Sequence, residues 1–219
     1  MKARLILLSL SILLFSSCIV KSIQPFYVSG QQKFDDVLLG NWIDHKKGEW
    51  EFVSFKTEWE KENQDPTKIM KEDREAFENY KESYVVKYIK KNVEALFIAM
   101  PFKVGEQLYM DFTPFEYESS DLNGLVAQHL LKTHSAVLIE KKNDESVDLK
   151  WISEEALNYL LNENRLRIKH EKTGIDQDLV LTANSNELYK FLERFNSMEF
   201  ANKWDNDVIY KLKRQDAKP

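Results

Sequence analysis

Few residues in this chain have the type and spacing to do chemistry. There is one thiol, Cys18, and there are four imidazoles, His45, His129, His134 and His170. His129 and His134 stand five residues apart, a step that aligns them on neither a helix nor a strand. No histidine has a metal-ligand spacing to another histidine or to a carboxylate. All four read as surface or turn histidines. No Gly-x-Ser-x-Gly, GxGxxG or glycine-rich phosphate loop occurs. The adjacent carboxylates Glu154-Glu155 and Asp35-Asp36 read as helix-start and loop charges. No catalytic group, metal or cofactor is expected, and the chain reads as a non-enzyme.

The residues before Cys18 give the thiol its context. Lys2 and Arg4 precede an apolar run from Leu5 to Phe15, the pattern of an export signal. The run falls well short of the ~20 apolar residues that span a bilayer. Phe15, Ser16, Ser17 and Cys18 then stand at the four positions of a motif that resembles the lipobox of bacterial lipoproteins, with Phe15 where leucine is commoner. The resemblance implies cleavage before Cys18, acylation of its sulfur by diacylglycerol and palmitate-type chains, and no free thiol in the mature protein. Ile19 and Val20 follow the cysteine, where an aspartate would mark inner-membrane retention, and no acidic run lies beside it. This is similar to outer-membrane lipoproteins facing the periplasm. The expected organisation is a signal peptide over 1–17, a lipidated N-terminus and tether over 18–36, and a single domain over 37–219.

Composition narrows the classes of partner. The chain has 31 Lys and Arg against 36 Asp and Glu, a net charge of −5, and loss of Lys2 and Arg4 makes it more acidic. An acidic domain has no electrostatic reason to hold nucleic acid. With 13 Phe, 9 Tyr and 5 Trp, and only 6 Gly and 5 Pro, it can bury a sizeable core and is not low-complexity.

The elements read mostly as hairpins. Leu38 to Ile43 and Glu49 to Lys56 form two arms around a Lys46-Lys47-Gly48 turn, with Trp50 and Phe52 on one face and Glu49 and Glu51 on the other. Glu58 to Glu82 is a very charged segment in which Asp65 before Pro66 can start an amphipathic helix carrying Ile69, Met70, Ala76, Phe77 and Tyr80 as a thin apolar stripe; a solvated insertion is the alternative. Tyr84 to Tyr88, Val93 to Phe102 and Leu108 to Phe112 read as three strands, the second apolar on both faces. Thr113 to Gln128 reads as a loop with a short helix. Thr133 to Glu140 and Glu145 to Trp151 make a further hairpin. Ser153 caps a helix that buries Leu157, Leu160 and Leu161. Arg165 to Glu171 and Asp178 to Leu181 suit two short strands. Asn184 to Glu187 resembles a capping box ahead of Leu188, Phe191, Leu192 and Phe195 at helical spacing. Arg214 to Pro219 is expected to fray. Together these predict an α+β fold: a mainly antiparallel, strongly curved sheet or barrel with two or three packed helices.

Gly40-Asn41-Trp42 at the first strand of this hairpin series resembles the Gly-x-Trp signature of lipocalins. The wider layout is similar to small Gram-negative lipoproteins with lipocalin-like domains. The resemblance spans most of residues 37–196 and implies a barrel whose tryptophan packs across a closed floor, above which a small apolar ligand binds. In that family an arginine packs on the tryptophan; the sequence alone does not place one here. Trp42, Trp50, Phe52, Phe97, Phe102 and Phe112 are the aromatics expected inside, either lining a cup or filling a core. Two functions follow. One is a tethered structural or protein-interaction module docking on an envelope protein. The other is a binder or carrier of a small hydrophobic ligand.

Overall fold

The computed structural model describes residues 19–65, 69–116, 130–143, 145–200, 203–204 and 206–215. The signal peptide, Cys18, Pro66 and His129 lie outside them.

Eight antiparallel strands close a barrel. β1 (Lys21–Ser22) lies outside it. β2 (Gly40–Asp44), β3 (Glu49–Ser54), β4 (Tyr84–Lys90), β5 (Val93–Val104), β6 (Gln107–Glu116), β7 (Ser135–Asn143) and β8 (Ser146–Trp151) run as a meander. After two short strands, β9 (His170–Thr173) and β10 (Asp178–Leu181), the last strand β11 (Ile209–Arg214) fits between β8 and β2 and closes the ring. Closure leaves no unpaired sheet edge. The small outer sheet has the order β1-β10-β9, with β1 parallel to β10.

Four α-helices are present among the described residues, against the two or three expected: α1 (Phe55–Glu62), α2 (Lys71–Tyr80), α3 (Glu154–Asn162) and α4 (Ser185–Ser197). The difference arises at residues 54–80. Ser54 Oγ accepts from Thr57 N–H and starts α1 at the end of β3, so the turn into helix comes well before Asp65. A second helix then begins at Lys71, and Asp65 caps neither. Ser153 Oγ caps α3, and the reciprocal Asn184–Glu187 capping box starts α4, both as the sequence implies. β6 runs on to Glu116 through the segment read as a loop, and the first of the two short outer strands starts at His170, later than expected.

The wall separates two cores. Inside the barrel, Trp42, Phe52, Val86, Met110, Phe112, Leu149 and Leu212 are buried. Outside, Phe102, Tyr109, Ala136 and Leu138 on the other face of β5–β7 pack against α3, α4 and the small sheet through Leu157, Leu160, Leu188 and Phe191. This double burial explains why residues 98–102 are apolar on both faces. Residues 19–36, expected as a tether, pack onto the fold: Val20 and Phe26 are buried in this second core, Ile19 and Phe34 pack against the first, and Val20 N–H donates to Ile152 O at 2.9 Å.

Candidate functional site

Of the six aromatics expected inside, Trp42, Trp50, Phe52 and Phe112 are buried within the barrel, and Phe97 is half-buried against the same cluster. Phe102 departs from the expectation. It pairs with Tyr109, one residue out of step with the inward Met110, and so sits in the outer core. The inward rings fill their space. Trp50 lies 4.2 Å from Tyr88 and 5.5 Å from Tyr210, and Trp151 lies 5.4 Å from Phe112, centroid to centroid. Trp42 is 1% exposed, Met110 0% and Leu149 0%. Side chains lining an open cup would retain accessible area, and these do not.

The indole N–H groups inside are all met, which lets large aromatics occupy a dry core. Trp42 Nε1 donates to Leu38 O at 2.9 Å, Trp50 Nε1 to Asp44 Oδ2 at 2.8 Å and Trp151 Nε1 to Ser135 Oγ at 3.2 Å. Arg214 lies 4.3 Å over the Trp42 ring and donates to Leu39 O and Val37 O. Gly40 makes room for it: its φ is +109°, and a Cβ there would approach the guanidinium at 3.3 Å. The glycine, the tryptophan and the arginine thus act as one unit at the barrel's Gly40 end.

The groove with apolar character is on the outside. It measures about 780 Å³ and runs between the α1–α2 pair and the outer face of β3–β6. Val53, Phe55, Trp59, Tyr80, Leu96 and Phe115 line it, with Lys61, Lys87 and Lys132 among its charges. No residue of α1 or α2 is buried. The two helices hold together mainly through Trp59 and Phe77, whose rings lie 5.5 Å apart. Glu58 at the start of α1 suits the positive end of that helix.

Among the described residues, His134 is half-buried and held by a buried carboxylate. His134 Nδ1 lies 2.6 Å from Asp111 Oδ1 and 2.8 Å from Thr113 Oγ1, and Asp111 is buried. Asp111 Oδ2 also accepts from Phe26 N–H at 2.6 Å. Burial pushes the Asp111 carboxyl up, opposed by its bonds to His134 and Phe26 N–H. Residues 23 apart in sequence make this pair, so local spacing held no signal for it. Its partners are the N-terminal segment and the wall, and its arrangement is that of a clamp between them. His45 is exposed, its Nδ1 accepting from Lys211 N–H, and His170 Nδ1 contacts Ile168 O. Asp35 caps the turn at Asp36–Leu38, and Glu154 accepts from Leu179 N–H, both positional roles.

Among the described residues, no group of three or more His, Cys, Asp or Glu is placed to hold a metal ion. Among them also, no helix is long and apolar enough to cross a membrane. No protein family, no curated protein and no solved structure matches this chain.

Proposed function

We propose that this chain is an envelope lipoprotein, exported by residues 1–17, acylated on Cys18 and held at the periplasmic face of the outer membrane, whose lipocalin-like barrel serves as a non-catalytic interaction module. The observation that carries the module reading is the inversion of the barrel. Its interior is packed with Trp42, Trp50, Phe52 and Phe112, while the apolar groove lies outside, beneath α1 and α2. An exposed apolar surface beside a closed core suits a protein partner. The Gly40–Trp42–Arg214 unit supports the lipocalin-like reading. The lipobox residues Phe15 to Cys18 support the anchor.

A second reading draws on the same groove. Its volume falls in the range of small-molecule sites, about 300–1,000 Å³, and its aromatic lining suits a small hydrophobic ligand. A photoreactive phenylalanine analogue at Phe115, expressed in the native host, separates the two. A discrete protein adduct that disappears on Trp59→Ser supports the module. A small mass retained by the native protein in mass spectrometry, and lost in Trp59→Ser, supports the ligand binder. Neither outcome, with the barrel folded, overturns the groove as the functional surface. Fatty-acid labelling tests the anchor: label persisting on Cys18→Ser would overturn it.

A further inference from the structure

The chain joins the fold without slack at its N-terminal side. Ile19 forms a β-bridge with Ser153, and Val20 N–H donates to Ile152 O. Ser22 and His134 exchange both backbone hydrogen bonds. Ser153 stands two residues past the end of β8, and His134 precedes the first residue of β7. Both therefore mark the same end of the barrel, the end that also carries the β2–β3 turn at Lys46–Gly48 and the β4–β5 turn at Lys91–Asn92. Consecutive Cα atoms are about 3.8 Å apart, so a lipid on residue 18 would hold this end against the bilayer with no free tether between them.

The surface of that end fits such a contact. Lys47 and Lys91 are exposed at the two turns, both with positive φ; Lys90 precedes Lys91, and the exposed Lys132 lies at the same end, its Nζ donating to Phe115 O. Val93 is 71% exposed and Leu131 62% exposed. Exposed acids are also present: Glu94 is paired with Lys87 at 2.9 Å, and Glu49 and Glu155 stand exposed at this end. Lysines interspersed with apolar tips suit anionic headgroups, which attract the cations while the apolar side chains enter the interface. The far end, with the β5–β6 turn at Gly105–Glu106, lies a full 12-residue strand away, roughly 40 Å along the strand and about 30 Å along the barrel axis, given the usual strand tilt.

We propose that the barrel end formed by the Lys46–Gly48 and Lys91–Asn92 turns rests on an anionic phospholipid surface. The proposal depends on acylation of Cys18. It gives the groove a fixed relation to the membrane, since Phe115 and Lys132, which help line it, lie toward the same end.

The test uses the acylated mature protein, Cys18 to Pro219, in vesicles of phosphatidylcholine with phosphatidylglycerol. Cys18 is the only cysteine, so acylation leaves Val93→Cys and Glu106→Cys as unique thiols for a fluorophore. These two sites report opposite ends of β5. Nitroxide-labelled lipid is expected to quench the label at Val93→Cys several-fold more than at Glu106→Cys. The difference should shrink in pure phosphatidylcholine and with Lys47→Glu, Lys90→Glu and Lys91→Glu combined. Equal quenching at the two sites, or quenching indifferent to phosphatidylglycerol and to the lysines, would overturn the proposal. Intact mass of the same sample reports acylation: an unacylated Cys18 sinks the lipoprotein reading, whereas an acylated protein with an unquenched Val93 site sinks only this one.

Discussion

The guanidinium of Arg214, in the last strand, lies 4.3 Å over the indole of Trp42, in the first strand of the barrel. Its two donating nitrogens reach Leu39 O at 3.0 Å and Val37 O at 2.7 Å. Arg214 also pairs with Trp42 in the ladder between β11 and β2. One side chain thus fastens the closing strand, the opening strand and the turn before it. Its planar fork meets two carbonyls while its face meets a ring, a combination that an ammonium cannot reproduce.

Arg214→Ala should therefore cost about 2–4 kcal/mol, from a half-buried cation–π contact and two charge-assisted hydrogen bonds. Arg214→Lys should recover less than half of that. Urea unfolding of the three proteins checks both statements. A loss below about 1 kcal/mol in Arg214→Ala would show that strand pairing alone closes the barrel.

The turn between β2 and β3 depends on a missing side chain. A Cβ at Gly48 would fall 2.3 Å from Tyr88 Cε2 and 2.6 Å from Asp44 Oδ2. Gly48→Ala should destabilise by about 1–3 kcal/mol, as overpacking does, and less in a Tyr88→Ala background, where only the clash with Asp44 is left. The Tyr88 hydroxyl itself is buried and has no hydrogen-bond partner among the described residues. Tyr88→Phe should accordingly be neutral or stabilising, since it removes an unmet polar group at little change in shape. A marked loss of melting temperature in Tyr88→Phe would reveal a partner for that hydroxyl.

Asp111 clamps the N-terminal segment to the wall. Asp111→Ala leaves Phe26 N–H and His134 without their acceptor and should cost about 3–5 kcal/mol, the penalty for breaking a buried pair. The double variant Asp111→Ala/His134→Ala should be less damaging than the sum of the single ones, since both remove one interaction. Strict additivity would show that the two side chains act separately. Hydrogen exchange at residues 19–26 gives a local readout: Asp111→Ala should release protection there before it does in the barrel.

Several tyrosines should resist ionisation until the protein unfolds. Burial, then the Asp111 charge, pushes Tyr27 up to about 12, and burial pushes Tyr84 and Tyr109 up as well. Because the folded values exceed the unfolded value near 10, these groups favour the fold fully below about pH 10. That contribution is lost as pH rises through the folded values. An alkaline absorbance titration should show a late fraction of tyrosinate coincident with loss of the fold. Complete ionisation of all tyrosines while the barrel stays folded would refute their burial.

Most local elements were legible in the residues alone. Ser153 capping α3, the capping box of Asn184 and Glu187, and the alternation of Val147, Leu149 and Trp151 each lie within a few residues, and each depends on side chains meeting their own backbone or on period-2 patterning. So do the adjacent hairpins, where a short turn sets both partner and register. Contacts between distant residues were decided only in the tertiary structure. Ile209–Arg214 is a weakly patterned tail until β2 and β8 supply both of its edges. Arg214 could not be matched to Trp42 from spacing when 172 residues separate them. Phe102 and Phe112 look alike in sequence, yet strand pairing directs one outward and the other inward. Val20 and Phe26 read as tether because their burial needs α3, α4 and the outer wall to be in place first. The physical reason is common to all four: hydrophobic burial and ladder pairing reward contact in space, and the chain records them only where neighbours in space are also neighbours in sequence.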